Sequence, residues 1–236
     1  MTEARLDPLS GARSLVAGAG SAYAARQLHQ ATAVQATEEA LPLGAPLGAL
    51  DTDGVRAALA GLRDRMREHA GAAYVHAHAS TDADALRLWA LDFVPAAVAR
   101  ERERFAAYAA SNYGANLLQD LVQEEVKLGD RLVAYDEEGV LLAAFAPRAD
   151  HHLLLAPRVP AARFEDDGPT GAALLHDALR RLGRDADVWV RTAPRGTDTF
   201  CWRIDVLPRA VVSGLELGAG LPVAAVAPEQ AAADLR

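Results

Sequence analysis

The chain has 236 residues, of which 51% are hydrophobic and 24% charged, with a formal net charge of −8. This is enough apolar material for one large domain or two small ones, and it excludes a globally disordered chain. The acidic balance argues against a nonspecific nucleic-acid binder, which neutralises phosphates with clustered Lys and Arg; here arginine is common but the only lysine is Lys127.

Cys201 is the single cysteine, so no internal disulfide and no Cys-x-x-Cys zinc site can form. On an apolar strand such a residue reads as a small buried hydrophobe. The first residues lack a signal-peptide apolar core, and no apolar run approaches the length of a membrane span. The expectation is a cytoplasmic protein with no membrane partner.

In chain order, Asp7-Pro-Leu-Ser-Gly reads as a turn before a short strand at 14–17, which the glycines at 18 and 20 end. Residues 36–50, with repeated Leu, Pro and Gly, read as an irregular connection. Asp51 or Thr52 caps a helix over 53–69, with Val55, Leu59, Leu62 and Met66 at helical spacing. Strands follow at 72–79 and 86–94, interrupted by Thr81-Asp-Ala-Asp. Pro95 opens a long helix. The mixed charges of Arg100-Glu-Arg-Glu-Arg read as a solvated face. Gly114 breaks this helix, and 117–128 resumes it.

From Arg131 the pattern turns to strands. Segments 131–135 and 140–146 flank Asp136-Glu-Glu-Gly, a hairpin turn with a glycine available for positive φ. A third strand at 152–156, an amphipathic helix at 170–182 and strands at 188–192 and 200–207 complete the sheet. Gly214-Leu-Glu-Leu-Gly-Ala-Gly reads as a glycine-framed turn, and Pro228 opens a terminal helix. The order predicts an α+β fold with an antiparallel-rich sheet. Strands and a long helix recur in both halves, which suggests a coarse duplication with units 1–110 and 111–236.

Several segments carry a resemblance to a known family. These are Asp7-Pro-Leu-Ser-Gly-Ala-Arg, Trp89-Ala-Leu-Asp-Phe-Val-Pro, Leu118-Gln-Asp-Leu-Val-Gln-Glu-Glu-Val, Ala156-Pro-Arg and the closing Phe200-Cys-Trp-Arg-Ile-Asp-Val-Leu-Pro. In this order they resemble galactose-1-phosphate uridylyltransferase-like proteins of the histidine-triad superfamily. The resemblance implies two tandem histidine-triad-like halves, the first shortened before Asp51 with sheet strands absent. It also implies a homodimer whose site crosses subunits. The family's His-x-His-x-Gln nucleophile motif falls on Ala83, Ala85 and Arg87, and its second histidine pair on Cys201 and Arg203. Alanine offers no nucleophile, and Asp82 and Asp84 place negative charge where a phosphate would sit. Glu216 matches a glutamate that contacts the hexose, although pairing with an arginine explains it equally well. The implied role is a degenerate homologue that binds a nucleotide or sugar phosphate, with Glu216, Arg87 and Arg203 as ligand-binding residues, or that serves as a protein partner.

The residues leave an alternative open. His76-Ala-His78 places two imidazoles on one face of a strand, where they could serve a rearranged nucleotidyltransferase or phosphohydrolase site. A third polar group would come from Asp82, Asp84 or His151. The plainer reading is a pair on an exposed strand face. His151 and His152 face opposite ways at a strand start and read as surface or turn residues. His176 reads as a helix boundary residue, and a set of Cys201, His76 and an aspartate as a remote nucleophilic option. Gly218 and Gly220 read as turn residues rather than a phosphate cradle. Trp89, Trp189 and Trp202 read as sheet packing, with one available to line a pocket. Two imidazoles make a poor zinc site, so no cofactor and no zinc are expected.

Overall fold

A computed structural model describes residues 2–6, 13–17, 30–168 and 170–236. The strands are β1 (Thr2–Leu6), β2 (Arg13–Ala17), β3 (Gln30–Val34) and β4 (Ala36–Pro42), after which comes helix α1 (Thr52–Glu68). Then follow β5 (Tyr74–Ser80), β6 (Ala85–Leu91), α2 (Ala96–Ser111), α3 (Leu117–Leu128), β7 (Leu132–Tyr135), β8 (Gly139–Ala143) and β9 (Leu153–Pro157). The chain closes with α4 (Ala172–Leu182), β10 (Ala186–Arg191), β11 (Arg203–Pro208), α5 (Gly214–Ala219) and α6 (Pro228–Leu235). The turn expected at 7–11 and the glycines at 18 and 20 lie outside the described residues.

Eight strands form one sheet in the order β4-β6-β5-β10-β11-β9-β8-β7, and every pairing is antiparallel. The α+β class read from the sequence is therefore the observed one. Strands β1, β2 and β3 form a separate three-stranded sheet. The two spans 1–110 and 111–236 meet inside the large sheet, where β5 pairs with β10. Because side chains alternate along a strand, each face has its own cover. One face presents Ala77, Leu88, Leu141, Leu155, Val190 and Ile204 to α1, α4 and α6, which makes the main core. The other face carries α2 and α3, whose Phe105, Leu118 and Val122 pack on Val140, Leu142, Phe200 and buried Cys201.

Local sequence explains the joints. The Asp51 side chain accepts from Gly54 N (2.8 Å) and caps α1, whose Val55, Leu59, Leu62 and Met66 are all buried, as their spacing predicts. Gly129 ends α3 in the left-handed conformation. Gly139 is required for a different reason than expected. Its φ is not positive; a Cβ there would stand 2.7 Å from the Ala156 carbonyl oxygen of β9.

Other expectations need correction. Residues 36–42 are not an irregular connection but β4, an edge strand paired with β6 over its whole length. Pro42 disguised it, yet proline is tolerated at such an edge. Four strands therefore precede Asp51, where sheet strands were expected to be missing. Residues 214–219 form the short helix α5, capped by Ser213 accepting from Glu216 N (3.0 Å), rather than a plain turn. Trp202 lies just before β11 rather than on it.

Candidate functional site

The face of the sheet under α2 gathers an unusual set of polar and aromatic groups. Register fixes it: His76 pairs with Trp89, His78 with Arg87 and Trp189, and Arg191 with Arg203. Tyr74, His76 and His78 thus alternate along β5 toward one side, beside Trp89 and Leu91 of β6 and Arg191 of β10. Pro95 caps the start of α2, and buried Val98 packs with Tyr74 and Leu91. Together with Leu15 of β2 these residues line a cleft of about 340 Å³. Three rings form a ladder on its floor, with centroids 6.4 Å apart between Tyr74 and His76 and 5.4 Å between His76 and His78, and successive planes inclined by 26° and 27°.

Beside the cleft runs a chain of ion pairs. Arg203 Nη1 and Nη2 donate to the two carboxylate oxygens of Glu101 (3.2 and 3.0 Å), and its Nε donates to Asp205 (3.1 Å). Asp205 also meets His152 Nε2 at 3.2 Å, and both residues are buried. Burial alone would lower the Arg203 pKa, but Asp205 and Glu101 more than offset it and raise it above the usual arginine value. Burial likewise works against the Asp205 carboxylate, and Arg203 and His152 outweigh it and hold its pKa low. Arg203 is thus fully engaged. Arg191 is not: its Nε lies 3.6 Å from Glu101 and makes no hydrogen bond.

Atoms without a hydrogen bond are concentrated among the residues of this cleft. Among the described residues six buried side-chain nitrogen or oxygen atoms lack a hydrogen bond, and three of them, Tyr74 Oη, His78 Nδ1 and Arg191 Nε, belong to residues lining this one cleft. Burial pushes the Tyr74 hydroxyl pKa up; the Arg191 guanidinium opposes this from nearby, without normal hydrogen-bond geometry between the two. Burial also lowers the His76 pKa to about 4, with His78 and Arg191 adding to the effect. His78 is lowered mainly by burial, against the pull of Glu38 and Asp187. At neutral pH the floor is therefore uncharged, and Arg191 is the charged group in the cleft lining.

The residues named from sequence are dispersed. His76 and His78 share the cleft as their spacing predicts. Their third polar neighbours are Tyr74 and Arg191, not Asp82, Asp84 or His151. Asp82 takes both guanidinium arms of Arg209 (3.0 and 2.6 Å), so its charge is compensated. Ala83 sits in the turn before β6, where its carbonyl accepts from Leu47 N (3.0 Å), and Ala85 opens β6. Arg87 stands beside His78, exposed and 3.5 Å from Glu38. Glu216 belongs elsewhere: it accepts from Arg148 (2.8 Å) in a separate cleft of about 190 Å³ lined by Arg184 and Arg209.

Histidines outside the cleft have structural tasks. His151, in a left-handed turn, meets Asp234 (3.0 Å) and Arg184 (3.0 Å). His152, expected as a surface or turn residue, is instead buried against Asp205 and Trp189. His176 meets the Thr52 hydroxyl at 3.1 Å. Burial pushes the Cys201 thiol up to about 11, which leaves it a packing group. Among the described residues no three of His, Cys, Asp and Glu stand together as a metal site, and no helix is long and apolar enough to cross a membrane.

Sequence reasoning missed Tyr74, Arg191 and Glu101. The signal for Arg191 was the alternation of Asp187, Trp189 and Arg191 along one strand. Glu101 was lost in a run of mixed charge; it turns to the sheet while its neighbours Arg102 and Glu103 turn to solvent or its margin.

No protein-family model matches the chain, and no curated protein matches it in sequence. Solved structures do match it in shape. A uridylyltransferase superposes with a TM-score of 0.85 at 17% identity, covering 99% of this chain and 97% of that one. The fold is that of the uridylyltransferases. A galt-like protein from Arabidopsis thaliana matches with a TM-score of 0.71 at 19% identity, over 80% of this chain and 70% of that one. An ADP-glucose phosphorylase from Arabidopsis thaliana, solved with bound ADP-glucose, gives 0.74 at 17% identity, over 85% and 73%. The histidine-triad-like fold expected from the sequence motifs is thus the one observed.

Proposed function

We propose that this uridylyltransferase-like chain binds a nucleotide or sugar phosphate in the cleft over β5 and lacks the family's His-x-His covalent chemistry. The observation that carries the reading is that three buried polar atoms with no hydrogen bond among the described residues, those of Tyr74, His78 and Arg191, belong to residues lining one aromatic-floored cleft. A buried polar group without a partner costs about 1–3 kcal/mol, and a ligand that supplies the missing bonds recovers it. The volume of about 340 Å³ falls in the usual range for small-ligand sites. The rings of Tyr74, His76, His78 and Trp89 offer a surface for a planar base, and Arg191 offers a charge for a phosphate. The uridylyltransferase and the ADP-glucose phosphorylase among the structural matches point to the same ligand class. Ala83 and Ala85 at the nucleophile positions support binding without turnover.

A second reading has one specific observation in its favour. His76, held neutral by burial, lines the cleft, and a neutral imidazole carries the lone pair that a nucleophile needs. It makes no side-chain hydrogen bond to a described residue, so nothing in the described structure fixes its tautomer.

Thermal-shift measurements with UMP, AMP, UDP-glucose, ADP-glucose and glucose 1-phosphate test binding. At least one should raise Tm in a saturable way; a flat response to all five at millimolar concentration rejects the proposal. Incubation with α-labelled UDP-glucose and ADP-glucose then tests catalysis. The expected result is no protein-bound label. An acid-labile label that disappears in His76→Ala would establish the second reading instead.

A further inference from the structure

A larger cavity lies away from β5, between α3 and the β7–β8 hairpin. On α3, Gln119, Val122, Gln123 and Val126 recur at spacings of three and four, so they form one stripe. Tyr135 and Val140 face that stripe across a groove of about 450 Å³. Val122 and Val140 are its buried floor, whereas Val126 and Tyr135 stand 43% and 66% exposed on its walls. The stripe runs about 10 Å along the helix axis. An apolar groove with a few polar groups is the ordinary form of a small-molecule site.

Its charges are the second observation. Lys127, the chain's single lysine, and Arg158 both line the groove. Neither pairs with a carboxylate among the described residues. Among the described residues the Arg158 guanidinium donates only to the Asp136 carbonyl, at 3.3 Å. The one carboxylate in the lining, Asp136, is turned into its own hairpin, where it accepts from Glu138 N and Gly139 N (both 2.8 Å). Elsewhere in this acidic chain Arg131, Arg181, Arg203 and Arg209 all meet carboxylates. Two cations that meet no carboxylate among the described residues, beside an apolar groove, are complementary to one chemistry.

We propose that this groove binds a small amphipathic anion, an aryl or medium-chain acyl group carrying a carboxylate or a phosphate. The apolar part lies along Val122, Val126, Tyr135 and Val140, and the anion meets Lys127 and Arg158. This site shares no lining residue with the cleft over β5 and does not depend on the reading of that cleft.

Equilibrium dialysis and calorimetry with octanoate, octyl phosphate and octanol test it, on the whole chain and on two variants, K127Q/R158Q and R191Q. All three substitutions remove a charge and keep a polar side chain, and an unchanged Tm verifies that each variant is folded. Either anion, or both, should bind at least tenfold more tightly than octanol. The K127Q/R158Q variant should lose about tenfold or more, because charge-assisted hydrogen bonds are lost, and R191Q should bind as the parent does. The stronger of octanoate and octyl phosphate identifies the head group. Octanol binding as well as the anions, full affinity in K127Q/R158Q, selective loss in R191Q, or no binding by either anion would each overturn the proposal.

Discussion

Arg191 and Arg203 are paired opposite each other on neighbouring strands and carry the same charge, yet their roles diverge. Arg203 spends three N–H groups on Glu101 and Asp205. Arg191 shares Glu101 only at 3.6 Å and faces the cleft. Replacing Arg203 with Met should therefore cost about 3–5 kcal/mol, since it takes the guanidinium away from buried Asp205 and half-buried Glu101. Urea denaturation checks this; a loss below about 1 kcal/mol would show that the pair is solvated. His76 gives a second residue-scale prediction. Its folded pKa of about 4 lies below the ordinary 6.5. Between those values the unfolded chain binds more protons, so the stabilising effect is present above 6.5 and lost as pH falls through 4. His78 acts in the same direction. The stability difference between pH 7 and pH 4.5 should shrink in His76→Gln by up to about 3 kcal/mol. An unchanged difference would mean that His76 is charged at little cost in the folded state.

At the scale of elements, two glycines make opposite demands. Gly139 opens β8 against the backbone of β9, where a Cβ would lie 2.7 Å from a carbonyl oxygen. Gly139→Ala should destabilise by about 1–3 kcal/mol, because backbone must move to admit it. Gly61 is exposed within α1, and a Cβ there meets nothing within 4 Å. Gly61→Ala should stabilise by about 0.5–1 kcal/mol through helix propensity. Thermal melts of the two variants should move in opposite directions; the same direction would show that one of these environments is misjudged. Elements were legible where one physical signal dominated: the Asp51 cap and the apolar spacing of α1, or the alternation in β10. They were illegible where the signal was mixed. Strand β4 holds Glu38, Glu39 and Pro42, because an edge strand needs neither apolar alternation nor every ladder donor. Helix α5 hid behind two glycines that mark its ends.

At the scale of the whole molecule, the antiparallel sheet brings residues far apart in sequence onto one face. His76 and His78 could be seen together because a strand's period is two. Their meeting with Arg191, and the clamp of Glu101 by Arg203, depend on strand order, which no local pattern encodes. The same order separates Glu216 from the cleft and gives it Arg148 instead. The sheet thus has an ion-paired region around Arg203 and an underpaired one around Arg191, and the proposed nucleotide or sugar-phosphate site lies over the second. Titration calorimetry tests that division most directly, using the nucleotide or sugar phosphate that raises Tm most, on the parent chain, R191Q and K127Q/R158Q. The account predicts saturable binding to the parent, a loss of about tenfold or more in R191Q, and no change in K127Q/R158Q. Binding that R191Q leaves intact would contradict it and place the ligand elsewhere on the molecule.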